Sequence, residues 1–337
     1  MEGAIVDLNL LWFILLGVLL AGYSILDGFD LGAGILHLTT RTDTERRLVI
    51  NSIGPIWDGN EVWLVTFGGA MFAAFPSAYA AVFSGFYIAL MLLLLMLILR
   101  AVSLEFRSKR ISESWRKFWD STFFLGSLLA TLLFGVAAGN VLIGIPVDAN
   151  GVFTGSFFDL LRPFPILTGL FTVTFAAMHG ALYLNLKTEG ELQQRMRGWI
   201  KKSLAAAAFC WVMVTICTWV SLPSASGWPW ALVVLIALAF AGILPAVAAN
   251  RPFIAFLLSS LAIAVLVFLF SFALYPNLVI SNLASEYNLN IVNAASSPKT
   301  LGVMTVIAGV GVPIVLIYTA FVYRMFRGKV KLTDHSY

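Results

Sequence analysis

Four carboxylic acids lie inside apolar segments that otherwise look membrane-spanning. Asp58 and Glu61 are three residues apart in a segment that contains no Lys or Arg. Asp27 and Asp30 have the same spacing in the preceding apolar segment. Residues three apart share one face of a helix. Each pair therefore presents two carboxyl groups together.

Carboxyl groups at this depth are typical of proton transfer. A carboxylate in the membrane costs at least about 2.5–3.5 kcal/mol on insertion scales, so it faces protein or water and indicates a functional site. Low dielectric and a like-charged neighbour both favour the protonated form of a carboxyl. The four acids predict a proton path, with Asp58 and Asp27 as its main members and Asp30 and Glu61 as secondary ones.

The same acids also allow a structural interpretation. Gly28, Gly32 and Gly34 permit close helix packing, and the Gly54–Pro55 pair permits a kink. The carboxyl groups could then link the first two spans by hydrogen bonds or cap a broken helix. Both interpretations stay open at this point.

The chain has few residues that could bind a metal or haem. Of three His residues, only His179 lies well inside an apolar segment. This is too few for a bis-His haem or a three-ligand metal site. Cys210 and Cys217 match neither a C-x-x-C motif nor a zinc pattern. We predict no metal site and no catalytic residue here, and expect any redox cofactors to be held by another chain.

Three side chains are candidates for contact with a planar ligand, such as a quinone, or with another subunit. Trp57 and Trp63 flank the Asp58–Glu61 pair, and His179 lies in the sequence AAMHGALY. The alternative for the tryptophans is ordinary packing. For His179 it is a hydrogen bond between helices.

The composition is that of a polytopic membrane protein. Of 337 residues, 60% are hydrophobic and 11% are charged, whereas soluble domains have about 25% charged residues. The net charge of +4 does not indicate nucleic-acid binding, because the basic residues lie in short connections. The N-terminal segment contains Glu2 and Asp7 and no basic residues, so we interpret it as a first span and not a cleaved signal.

About 20 apolar residues suffice to cross a membrane, and nine segments meet this length. They are Leu8–Leu36, Leu48–Phe75, Ala78–Val102, Phe118–Ile145, Phe164–Leu186, Trp199–Leu222, Trp228–Ala249, Phe253–Tyr275 and Leu301–Phe326.

The second span gives the expected depth of Asp58. Counted from Leu48 at about 1.5 Å per residue, Asp58 lies about 15 Å deep, near the midplane of a roughly 30 Å core.

The basic residues predict the orientation. All 21 Lys and Arg residues except Arg162 and Lys299 fall in alternate connections or the C-terminal tail, with Arg100 counted in the connection after the third span. The positive-inside rule then places the N-terminus outside and the C-terminus in the cytoplasm. In this orientation the four acids form a stepped line that leads from the membrane interior toward the cytoplasm.

Several motifs resemble subunit II of the cytochrome bd family of quinol oxidases. They are LDGFDLGAG at Leu26–Gly34, DTERR at Asp43–Arg47, NSIGPIWDGNEVWL at Asn51–Leu64, GGAMFAAFP at Gly68–Pro76, AAVFSGFY at Ala80–Tyr87 and FRSK at Phe106–Lys109. Weaker similarity continues at Gly155–Phe158 and Val312–Ala320.

The resemblance implies an all-α membrane protein with nine transmembrane helices. They would form one four-helix bundle in residues 1–145, a second in 164–275, and a peripheral helix in 301–326. The family's subunit II is haem-free and pairs with subunit I, which holds haems b558, b595 and d. The pair oxidises quinol and reduces O₂ to water with cytoplasmic protons. This generates a proton-motive force without pumping, in the bacterial inner membrane.

The resemblance also assigns the family's proton route to the positions of Asp27 and Asp58. Other members can have Gln in place of Glu61, so an ionised Glu61 is not required. A structural quinone in this chain and a small accessory subunit stay open, as does the choice between ubiquinol and menaquinol. From the residues alone, a proton-coupled transporter that works by itself is the alternative.

Overall fold

The computed structural model describes residues 7–221 and 230–332, and this part of the chain is almost entirely helical. The helices are α1 Leu8–Leu36, α2 Asp43–Ile53, α3 Trp57–Ala74, α4 Pro76–Gly85, α5 Tyr87–Phe106, α6 Glu113–Ile143, α7 Pro163–Lys187, α8 Gly190–Ser221, α9 Trp230–Ala248, α10 Pro252–Leu274 and α11 Pro298–Met325. Two short strands, β1 Asn277–Val279 and β2 Leu289–Asn290, pair antiparallel. The all-helical architecture is confirmed.

Polar side chains define where the first two helices begin. The Asp7 carboxylate accepts hydrogen bonds from the backbone N–H groups of Asn9 and Leu10, at the start of α1. At the start of α2, Thr42 accepts from the N–H of Glu45, and the Glu45 carboxylate accepts from the N–H of Thr42. Such reciprocal capping satisfies donors that the first helical turn leaves unpaired.

The second predicted span is broken. Helix α2 ends at Ile53 and α3 begins at Trp57, so the predicted span Leu48–Phe75 is not one continuous helix, and it is interrupted at the Gly54–Pro55 pair, where a kink or a broken helix was left open. Pro55 lies in the break, where its missing N–H ends the helical hydrogen-bond ladder. Asp58 is consequently in the first turn of α3, and the depth counted at a constant helical rise from Leu48 does not apply.

The third predicted span is also divided, because α4 ends at Gly85 and α5 begins at Tyr87. In the described residues, eight helices are long and apolar enough to cross a membrane, and α3 is not among them. The count of nine spans and the arrangement in two bundles with a peripheral helix stay predictions. The ends predicted at Leu222 and Trp228 lie outside the described residues.

Helices α1 and α7 meet backbone to backbone. A Cβ added at Gly32 would lie 2.8 Å from the Cα atom of Gly180 and would collide with the carbonyl oxygen of Ala176. A Cβ added at Gly180 would collide with the backbone of Gly32. The two glycines therefore permit a close crossing, which small residues commonly provide in membranes.

We expect Gly180→Ala to destabilise the protein by about 1–3 kcal/mol, the usual range for overpacking a filled site. The thermal midpoint of the purified protein with its partners would measure this. Gly198→Ala in α8 is the matched control, because no atom of the described residues lies within 4 Å of an added Cβ there. Equal midpoints for the two variants would show that the α1–α7 contact is not tight.

Candidate functional site

Three of the four predicted acids lie together at the interface of α1, α3 and α5. Asp27 and Asp30 of α1 are fully buried, and the Glu61 side chain of α3 is 25% exposed. The fourth, Asp58, lies on the surface of this chain. The structure therefore brings together the two acids of α1 and the second acid of the other pair.

The centre of this site is Arg100, which is fully buried in α5. Its Nη2 atom donates to Asp27 Oδ1 at 2.7 Å and to Glu61 Oε1 at 2.7 Å. One guanidinium thus ties α1 and α3 to α5. We call Asp27, Asp30, Glu61 and Arg100 the carboxylate–arginine cluster.

The prediction that Arg100 belongs to the cytoplasmic connection after the third span is wrong. The residue lies inside α5, which continues to Phe106. The missed signal was an arginine within the apolar run YIALMLLLLMLILRAV, because an ionisable residue in a span is by default a functional candidate that needs a partner.

Asp30 has its own partner. Asn60, 2% exposed, donates from Nδ2 to Asp30 Oδ2 at 2.7 Å and to the carbonyl oxygen of Leu26 at 3.3 Å. This amide also ties α3 to α1. Hydrogen bonding between the first two membrane segments, the structural interpretation of the acids, is therefore observed for these residues.

The carboxylate–arginine cluster also has buried polar atoms without a hydrogen-bond partner in the described part of the chain. They are Asp27 Oδ2, Asp30 Oδ1, Arg100 Nε and Nη1, and the hydroxyl of nearby Tyr23. An unsatisfied buried group costs about 1–3 kcal/mol. Polar interiors of this kind are where buried water binds in proteins.

The charges of the cluster do not balance when every group is ionised. Asp27, Asp30 and Glu61 would contribute three negative charges, against one positive charge on Arg100. Excess charge of one sign in a low-dielectric interior is strongly unfavourable. The arrangement favours a cluster that holds at least one proton and can exchange it.

Asp58 has different surroundings. It lies in the first turn of α3, where the helix dipole favours a negative charge. Val62 and Val65 of the same helix are 48% and 73% exposed. The described residues thus leave this side of α3 uncovered, and Asp58 is available to water or to a partner.

His179 is enclosed within its own chain. Its Nδ1 atom is 2.7 Å from Ser259 Oγ, and its Nε2 atom is 3.0 Å from the carbonyl oxygen of Ile25. The imidazole stacks on Phe256 with the ring centroids 4.8 Å apart. These are hydrogen bonds between helices, and a quinone or subunit contact of His179 stays a prediction.

The two tryptophans are half-buried. Trp63 packs on α1 at Gly22, where an added Cβ would overlap its indole ring. Trp57 packs on the edge of the main hydrophobic core. Both make ordinary packing contacts, and their predicted contact with a quinone or another subunit stays a prediction.

A second group of charges, not predicted from the sequence, lies at the end predicted to face the cytoplasm. Asp120 is 1% exposed and accepts from Arg46 at 2.8 Å and from Arg107 at 2.5 Å, with His37 Nε2 also 2.5 Å away. Arg107 also donates to Asp43 at 2.7 Å. We call these five residues the Asp120 cluster, which joins the ends of α1 and α5 to α2 and α6.

Beside it, Glu45 accepts from Arg195 Nη1 at 2.5 Å and so links α2 to α8. Burial raises the pKa of Glu45, but the hydrogen bonds from Arg195 and from the backbone of Arg41 lower it more. The pKa of Glu45 therefore lies below its usual value.

No group of three or more His, Cys, Asp or Glu side chains in the described residues could hold a metal ion. Cys210 and Cys217 are free thiols.

Comparisons with known proteins agree with one another. The model of the family described as cytochrome bd terminal oxidase subunit II matches residues 8–326. The cytochrome bd-I ubiquinol oxidase subunit 2 of Escherichia coli (strain K12) is 39% identical, with coverage of 97% of this chain and 96% of that protein. The cytochrome bd ubiquinol oxidase subunit 2 of Bacillus subtilis (strain 168) is 34% identical, with coverage of 96% and 97%.

The fold is also similar to a solved structure. A chain of the bd oxidase from Geobacillus thermodenitrificans superimposes with a TM-score of 0.78 at 17% identity, over 95% of this chain and 98% of that one. This likeness concerns the fold alone. Together with the family match, it confirms the resemblance drawn from the sequence motifs.

Proposed function

The chain belongs to the family of cytochrome bd terminal oxidase subunit II, and on this premise we propose that it is the haem-free subunit of a quinol oxidase. Its partner is a subunit I that carries haems b558, b595 and d. The complex oxidises quinol and reduces O₂ to water in the bacterial inner membrane. It takes protons from the cytoplasm and generates a proton-motive force without pumping.

We propose that this chain stabilises subunit I and supplies part of the proton path. The observation that carries the proposal is the buried Arg100, with hydrogen bonds of 2.7 Å to both Asp27 and Glu61. A guanidinium that stays charged allows carboxyl groups to be buried without all of them being neutral. A proton can then move among the carboxyls while the net charge of the cluster stays near zero.

Asp58 is the proposed link between the cluster and the partner. It is exposed three residues before Glu61, on a helix whose outer surface is apolar and uncovered. A carboxylate in apolar surroundings is unfavourable unless a polar group or water forms a hydrogen bond with it. We propose that subunit I covers this side of α3 and that Asp58 passes protons toward the haem site.

The structural quinone stays a prediction, and one groove is compatible with it. A cavity of about 470 Å³ lies between α1, α9 and α10 and is lined mainly by apolar side chains, Phe13 and Phe268 among them. Ser271 and Tyr275 supply its polar groups. This size lies within the range of small-molecule sites.

The alternative, a proton-coupled transporter that works alone, is distinguished by purification. A quinol oxidase subunit co-purifies with a coloured, haem-bearing protein and gives haem absorption bands. A colourless single chain would support the transporter.

We expect Asp58→Asn to lower oxygen consumption by the assembled complex about 100-fold, the lower end of the usual effect of losing a proton-transferring group. Haem content should stay unchanged. Thr66→Val on the same helix is the control, because its exposed hydroxyl donates within α3 to the carbonyl oxygen of Val62. Unchanged turnover with intact haem would contradict the proton role, and loss of haem together with activity would indicate assembly instead.

A further inference from the structure

Helix α11 is tied to the rest of the chain near both ends. Near its first residues, Trp12 of α1 donates from Nε1 to the carbonyl oxygen of Leu301 at 3.2 Å and to Thr305 Oγ1 at 3.1 Å. Near its last residues, the hydroxyl of Tyr323 donates to Asn60 Oδ1 at 2.8 Å. Between these ties, the helix exposes large apolar side chains such as Val310, 62%, and Ile317, 70%.

The tie at Tyr323 continues into the carboxylate–arginine cluster. Asn60 accepts from Tyr323 with its amide oxygen and donates with its amide nitrogen to Asp30 Oδ2. Three side chains from three helices thus form one hydrogen-bonded row, from α11 through α3 to α1. The row ends on a carboxyl that is fully buried.

The chemistry of the middle group decides what this row can do. A side-chain amide has an oxygen that only accepts and a nitrogen that only donates. It does not take up a proton at one end and release another at the opposite end without leaving its stable form. Asn60 therefore does not conduct protons between Tyr323 and Asp30, and the row orients groups instead.

The group it orients is the carboxyl of Asp30. The bond from Asn60 occupies Oδ2, while Oδ1 has no hydrogen-bond partner in the described residues. The charged groups that act on Asp30 are Asp27, Arg100 and Glu61. A carboxyl with one oxygen held as an acceptor presents its other oxygen in a fixed position for proton exchange.

We propose that Tyr323 is a positioning residue for proton transfer. By fixing the amide of Asn60, its hydroxyl holds Oδ2 of Asp30 and leaves Oδ1 as the oxygen that takes and releases the proton. The inference rests on the proposed proton path through the carboxylate–arginine cluster. It gives α11, otherwise mainly apolar and exposed, a part in the function of that cluster.

The test uses the assembled oxidase, purified with its partner subunit and assayed for oxygen consumption at saturating quinol. We expect Tyr323→Phe to lower kcat about fivefold, the scale of one neutral hydrogen bond, with unchanged haem content and unchanged KM for quinol. The ratio of rates in H₂O and D₂O should rise, because proton exchange at Asp30 becomes more rate-limiting. Tyr318→Phe is the control, since Tyr318 is on the same helix and 65% exposed.

Asp30→Asn and the double variant separate the outcomes. If Tyr323 acts through Asp30, adding Tyr323→Phe to Asp30→Asn slows the enzyme no further, since groups acting in one network are not additive. An additive loss of rate in the double variant overturns the inference but not the proton path. The same holds if Tyr323→Phe is as fast as the wild type while Asp30→Asn is slow. Wild-type rates in both single variants overturn the inference and exclude Asp30 from the proton path, whereas the path through Asp58 is tested separately by Asp58→Asn. Loss of haem in Tyr323→Phe would overturn the positioning role in favour of a structural tie.

Discussion

Replacing Arg100 with methionine is expected to prevent stable assembly of the oxidase. Methionine fills a similar part of the site but leaves Asp27 without its charged partner inside the membrane. Breaking a buried ion pair on one side costs about 3–5 kcal/mol, because the remaining charge is uncompensated. The thermal midpoint of the purified complex and its haem content per protein measure the effect.

Two further variants identify the cause of that loss. Arg100→Lys retains the charge, but an ammonium is a compact charge without the planar fork of a guanidinium. We therefore expect an intermediate midpoint. Combining Arg100→Met with Asp27→Asn and Glu61→Gln removes the two carboxylates to which Arg100 donates, and it should restore assembly without restoring turnover. If Arg100→Met alone is as stable as the wild type, the hydrogen bonds from Arg100 do not stabilise the protein.

Asp120→Asn is expected to have the second-largest effect. The carboxylate has hydrogen-bond contacts with His37, Arg46 and Arg107, and it is 1% exposed. An amide cannot neutralise the buried guanidinium of Arg107, and its nitrogen would be a donor facing other donors. We expect a loss of about 3 kcal/mol or more, measured as a lower thermal midpoint.

Asp43→Asn is the matched control for Asp120. Its side chain is 45% exposed, although it contacts the same Arg107 at 2.7 Å and also Arg116 at 3.2 Å. Exposed ion pairs contribute about 0–1 kcal/mol. Equal losses in the two variants would mean that the burial of Asp120 has no special effect.

Much of the fold follows from composition and local pattern. Long apolar runs predict membrane helices because the bilayer leaves backbone groups no other partners, and helices such as α7 and α10 begin within a residue of the predicted limits. The break between α2 and α3 lies at Gly54 and Pro55, where the sequence left a kink and a broken helix open without choosing between them. Whether a proline bends a helix or ends it depends on tertiary contacts that a local pattern does not contain.

The candidate site was only partly predictable for a related reason. Spacing identified Asp27, Asp30 and Glu61, since it fixes which residues share a helix face. It could not identify Arg100 or Asn60 as their partners, because those contacts join helices distant in the chain. Nor could it separate the partly buried Glu61 from the exposed Asp58, because that difference depends on how α3 is rotated against α1.

The crossing of α1 and α7 at Gly32 and Gly180 has a mechanical consequence. At this crossing no side chain separates the two backbones, so the contact cannot adjust by a change of rotamer. Asp30 is two residues from Gly32 on the same helix, so its backbone is anchored at this joint. We expect protons to be transferred here without movement of the helices. Hydroxyls, carboxyls and water reorient, while α1 and α7 keep their register.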